Sequence, residues 1–174
     1  MTFRLVSTLP LLAALASACS FEADLPEVQV TQRGLKMPGV PGAARVGEVS
    51  VTGSYTLSSC NTASVKRMGS DVLVRQVRIA ASGSQPNLDF IDFAHVTMAN
   101  PASQEGTTEI MSYDRSQAAS PSVIDVNMPA PIDITALWSA DNTVIGLQMA
   151  GQLPEQDWTV DVTLTLSGKI KYEL

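Results

Sequence analysis

From Trp158 to Leu174 every even position is apolar or Gly, and every odd position between them is Thr, Ser, Asp, Lys or Glu. This is the period of a half-buried β-strand, whose successive side chains point to opposite faces. A helix would scatter the same apolar residues around its circumference. The even face carries eight large apolar side chains. At roughly 1.5–3 kcal/mol for full burial of each, that face is worth on the order of 10–20 kcal/mol gross. No other segment offers as much, so the rest of the chain is expected to pack against it. The stretch of 17 residues would span roughly 56 Å if straight. A domain of this size has a diameter of roughly 40 Å. Ser167-Gly168 is therefore the expected bend or bulge, dividing the stretch into two strand segments.

Shorter strands recur upstream. Val49 to Leu57 alternates cleanly, and Ser58 to Thr62 has the composition of a loop. Val72 to Ile79 is strand-like but changes phase near Gln76, the signature of a bulge. Ser82 to Asn87 is a turn by composition. Leu88 to Met98 has apolar residues on both faces and is expected to be a central strand, with a helix over residues 88–95 as the alternative. Thr107 to Tyr113 is a weaker strand. Val123–Val126 and Ile132–Leu137 flank Pro129 and Pro131, and Asp133 to Trp138 reads as a short helix or a strand. Ala140 to Thr143 is a turn candidate before the strand Val144–Ala150. This spacing predicts an all-β antiparallel sandwich, immunoglobulin-like or jelly-roll-like, with eight or nine strands and at most one short helix.

The first residues have a different character. Arg4 precedes the apolar run Leu5–Leu15, which is too short to span a membrane, and Ala16-Ser17-Ala18 leads directly to Cys19. This resembles the signal peptide and lipobox of bacterial lipoproteins. The resemblance implies cleavage between Ala18 and Cys19, a diacylglycerol on the Cys19 thiol, and an acyl chain such as palmitate on the new amine. Ser20, rather than Asp, after the cysteine implies the outer membrane, assuming a two-membrane bacterium. Ala16-Ser17-Ala18 also satisfies the A-x-A rule of an ordinary secretory signal. In that alternative Cys19 is free to pair with Cys60 in an oxidising compartment. If Cys19 is lipidated, Cys60 is expected to be a buried small apolar residue. Residues 1–18 are thus read as signal peptide, 19–44 as a Pro- and Gly-punctuated tether with an edge strand at Glu27–Thr31, and 45–174 as the sandwich.

Removing residues 1–18, Arg4 among them, leaves 156 of the 174 residues and takes the formal charge from −6 to −7. That length suits one domain with a real core. The acidic balance argues against nucleic acid and against electrostatic docking on anionic lipid. His95 is the one histidine and sits on the polar phase of its strand, so it reads as a solvated or core-capping residue. Asp89, Asp92, Asp125, Asp133, Asp141, Asp157 and Asp161 lie at strand ends and turns, with no D-x-D-x-D spacing for calcium. They read as turn caps, and no metal or cofactor is expected. Trp158 shares the apolar phase and belongs to the core, whereas Trp138, beside a turn, is the candidate surface contact. No phosphate loop, CxxC pair or H-E-x-x-H helix occurs.

The terminal strand also resembles the last strand of outer-membrane β-barrels, but the phase-broken segments and ten prolines do not suit a barrel wall. The expected function is that of a lipid-anchored cell-envelope protein with a non-enzymatic binding, assembly or structural role. It would be held by the membrane and matched to an envelope protein partner. The alternatives are a secreted or periplasmic ligand-binding sandwich, and an envelope hydrolase.

Overall fold

A computed structural model describes residues 21–42, 49–56, 71–83, 87–115, 122–138 and 143–172. Among the described residues eight strands follow one another: β1 (Phe21–Met37), β2 (Val49–Thr56), β3 (Asp71–Ser82), β4 (Ile91–Ala99), β5 (Thr107–Asp114), β6 (Val123–Asp133), β7 (Val144–Gly151) and β8 (Trp158–Tyr172). They form two four-stranded sheets, β1-β8-β3-β6 and β2-β7-β4-β5. All ladders are antiparallel. Strands 1 and 8, 2 and 7, 3 and 6, and 4 and 5 pair, as in a chain folded once into a long four-rung hairpin. Rolling that hairpin adds the pairs β3·β8 and β4·β7. This is the jelly roll, one of the two sandwich classes expected from the sequence.

The core lies between the sheets. Val160, Val162, Leu164 and Leu166 of β8 face Leu147 and Met149 of β7 and Val96 and Met98 of β4 within one apolar cluster. Trp158 is 2% exposed and meets Phe90 edge to face at 5.0 Å between ring centroids, so its expected place in the core holds.

The expected break at Ser167-Gly168 is not in β8, which runs unbroken to Tyr172. The extra residues sit in its neighbours. The β1 register shifts between Leu25 and Val28 opposite Gly168 and Leu166. On the other side β3 shifts between Val74 and Gln76, leaving Arg75 as the inserted residue. The phase change near Gln76 is therefore a bulge. A bulge bends and twists the strand that carries it, so a long β8 is accommodated by bulged partners.

Residues 21–42, expected to be tether apart from Glu27–Thr31, belong to the sandwich. β1 pairs with β8 from Phe21 to Met37. Beyond it Val40 is buried and its amide donates to the Pro154 carbonyl at 2.8 Å. The Pro and Gly punctuation marks irregularities in an edge strand. Gly34 takes φ +63° in the second shift, between Gln32 and Leu35, and its amide donates to Asp161 Oδ1 at 2.8 Å. Pro129 and Pro131 are likewise tolerated because β6 is the other edge, where a missing N–H breaks no ladder. The segment Asp133–Trp138 is neither helix nor strand throughout. β6 ends at Asp133, and a single turn follows in which Leu137 and Trp138 amides donate to the Ile134 carbonyl.

In the second sheet, Asp92 is an inserted residue of β4 opposite Gly151 and Ala150, and Ile110 is one of β5. The β5 insertion turns Ile110 and Met111 both inward, which is why that segment looked weak by alternation. Gly151 has φ +145°, and a Cβ there would overlap the Phe90 carbonyl oxygen. Gly151→Ala is expected to cost about 2 kcal/mol or more. A guanidinium unfolding midpoint equal to that of the parent chain would refute this account of the β4–β7 junction.

Candidate functional site

The outer face of the β1-β8-β3-β6 sheet is made by the odd positions of β8 and their ladder partners. Its polar side chains bond to one another across strands. Thr31 and Thr163 hydroxyls lie 3.0 Å apart, and Ser82 Oγ donates to Thr159 Oγ1 at 3.0 Å. Thr165 Oγ1 donates to Gln76 Oε1 at 3.1 Å, and Gln76 Nε2 donates to Asp125 Oδ1 at 2.6 Å. Cross-strand pairs of this kind stabilise a sheet by roughly 0.2–1 kcal/mol each. They cover β8 so well that Thr165 and Ser167 are buried although they belong to the polar phase.

One end of this face opens into a groove of about 410 Å³ lined by Asp24, Asp71, Leu73, Arg75, Ser167, Gly168 and Lys169. The bulge in β3 creates it, because the inserted Arg75 is placed beside Ser167. Arg75 Nε donates to Ser167 Oγ at 2.8 Å. One nitrogen of the guanidinium is thereby fixed, and the four N–H groups on its two terminal nitrogens remain for an acceptor. Gly168 brings no side chain into the groove. None of these residues except the bend candidates Ser167 and Gly168 was singled out by sequence reasoning. The usable signal was the phase change beside Arg75; the grouping of residues 24, 71 and 169 has none, since it follows from strand pairing.

His95 lies on the outer face of the other sheet, partly exposed, with Nδ1 2.9 Å from Glu109 Oε2. Ser112 is its direct ladder partner, yet among the described residues no hydrogen bond joins the hydroxyl to the imidazole. The solvated position expected for His95 agrees with its partial exposure on this face.

Asp133, Asp157 and Asp161 act as backbone acceptors. Asp157 Oδ1 accepts from the Gly39 amide at 2.9 Å and Asp161 Oδ1 from that of Gly34. Asp92 lies 3.5 Å from Arg115 Nη1. Among the described residues no group of three or more His, Cys, Asp or Glu is placed to hold a metal ion. A second depression, of about 380 Å³, lies between Glu105 and the turn after β6. Trp138, the candidate surface contact, is half-buried and packs against the core at the end of that turn. Ala18, Cys19 and Cys60, with the cleavage, lipidation and disulfide expectations attached to them, and Asp141 lie outside the described residues.

No protein-family model matches the chain, and no curated protein matches it. Solved structures offer distant likenesses. Turnip yellow mosaic virus is 13% identical over 99% of this chain and 93% of that one, with a TM-score of 0.32. The 60-mer BFDV capsid protein is 10% identical over 88% and 95%, at 0.41. A structure of carbohydrate-binding modules from the β-sandwich superfamily is 10% identical over 90% and 58%, at 0.30. Likenesses this distant carry no argument about this chain.

Asp133 starts the turn after β6, and its Oδ1 accepts from both the Thr135 hydroxyl at 2.6 Å and the Thr135 amide at 2.9 Å. These bonds, the hydroxyl first, hold its carboxyl below the ordinary value of 3.8. A carboxylate depressed in the folded state adds stability above its unfolded value, and that stability is lost as pH falls through the folded value. Thr135→Val is expected to raise the Asp133 titration midpoint, followed by the carboxyl 13C shift. An unmoved midpoint would assign the depression to another cause.

Proposed function

We propose that this chain is a lipid-anchored cell-envelope protein that works by binding or assembly and not by catalysis. The observation that carries this reading is the sequence Ala16-Ser17-Ala18-Cys19 placed two residues before the first strand, which begins at Phe21. A lipid on Cys19 would attach two residues ahead of the edge strand. The two residue steps from Cys19 to Phe21 reach only about 7 Å in extended form. The sandwich would then stand against the membrane, with the β1-start and β8-end of its first sheet nearest the lipid, since Phe21 pairs with Tyr172. The acidic balance supports attachment through the acyl chains and not through basic residues.

The hydrolase alternative would centre on His95, since a carboxylate on Nδ1 is also how a triad orients its base. Its Nδ1 is engaged by Glu109 on an open sheet face. Ser112, its ladder partner, would be the nucleophile of such a site, and a general base must lie within hydrogen-bond reach of the proton it takes. Labelling of Ser112 by a fluorophosphonate would favour the hydrolase and overturn the binding role.

The intact mass of the mature chain from its native host, beside that of Cys19→Ala, tests the anchor. Acyl mass on Cys19, with release of the variant from the membrane fraction, is the expected result. Crosslinking would then search for the envelope partner. A chain beginning at an unmodified Cys19 and two hydrogens light from a Cys19–Cys60 bridge would instead establish the secreted form.

A further inference from the structure

The groove at Arg75 holds two cations and two anions, and the ladder fixes where they stand. Asp24, Lys169 and Asp71 occupy one row across β1, β8 and β3. Lys169 stands between the carboxylates, so the row carries one net negative charge. Arg75 is held at Ser167, two residues along β8 from Lys169, a separation of roughly 7 Å. The groove is therefore neutral in sum and dipolar in layout, with a guanidinium at one end and excess carboxylate at the other. Between them lies Gly168, with Leu73 as an apolar wall.

A simple anion would meet the guanidinium but also the carboxylates, and a simple amine the reverse. A zwitterion satisfies both ends at once. The separation selects among zwitterions. An α-amino acid carries both charges on one carbon and is short for it, whereas a phosphate and an ammonium joined through a two-carbon spacer reach further. The free guanidinium N–H groups form a fork suited to two phosphate oxygens. A primary ammonium brings three donors for the carboxylates of the Asp24–Asp71 row.

We propose that this groove binds a small zwitterion of the phosphoethanolamine class, its phosphate on Arg75 and its ammonium on Asp71 and Asp24. The site does not depend on the anchor, whose mass-spectrometric test is read separately. The full chain, kept in an uncharged detergent, is titrated against phosphoethanolamine and followed by ligand 31P NMR. Saturable binding is expected, with Arg75→Gln and Asp71→Asn each weakening it about tenfold. Phosphocholine, whose methyl groups replace the ammonium N–H donors, is expected to compete poorly.

Glycerophosphoethanolamine identifies the source: competition equal to that of phosphoethanolamine supports a lipid headgroup, and preference for the monoester supports a soluble ligand. Unchanged binding in both variants, absence of saturation, or equal competition by inorganic phosphate would overturn the proposal. Should Arg75→Gln fail to fold, Asp71→Asn, at the start of β3, carries the same comparison.

Discussion

β8 is hydrogen-bonded along both sides and covered on both faces, and every other part of the sandwich is arranged to make that so. Its even side chains form the centre of the apolar cluster. Its two edges are satisfied by β1 and β3, which removes the desolvation penalty of unpaired backbone groups in a buried strand. Its odd side chains are shielded by hydroxyl and amide bonds to neighbouring strands. Such a strand cannot itself carry an inserted residue without breaking two ladders at once. The irregularities needed to curve the sheet therefore fall on its partners.

That displacement links fold to candidate function. The inserted Arg75 is a consequence of curvature, and it places a guanidinium beside Ser167 on the outer face. Ser167 then fixes the guanidinium, so less side-chain entropy is lost when an anion docks. A groove made this way is rigid on its floor, because the floor is β8, and chemically varied on its rim, because three strands contribute to it.

Much of the architecture was legible along the chain. Period-two alternation located β2, β3, β7 and β8, and the phase change beside Gln76 located a bulge. The N-terminal strand was hidden for a physical reason. Phe21, Ala23 and Leu25 share one phase, Val28 and Val30 the other, and Leu35 and Met37 return to the first. Each change coincides with a register shift in β1. Read as composition, Pro26 and Gly34 suggest a tether; read as bulges, they leave one long edge strand. Bulges also hid β5, where Ile110 and Met111 both turn inward. The turn at Asp133–Trp138 was ambiguous because a single helical turn and a strand end share its apolar spacing.

The sequence by itself determined the alternation of faces, hence an all-β sandwich with its strongest strand last, and it supplied the lipobox-like run before Cys19. Alternation states which face a side chain takes, but not which strand lies beside it. Pairing is decided by burying all the apolar faces together, a non-local condition met only in the folded chain. Only the tertiary structure chose the jelly roll and brought Asp24, Asp71 and Lys169, far apart along the chain, into one row beside Arg75.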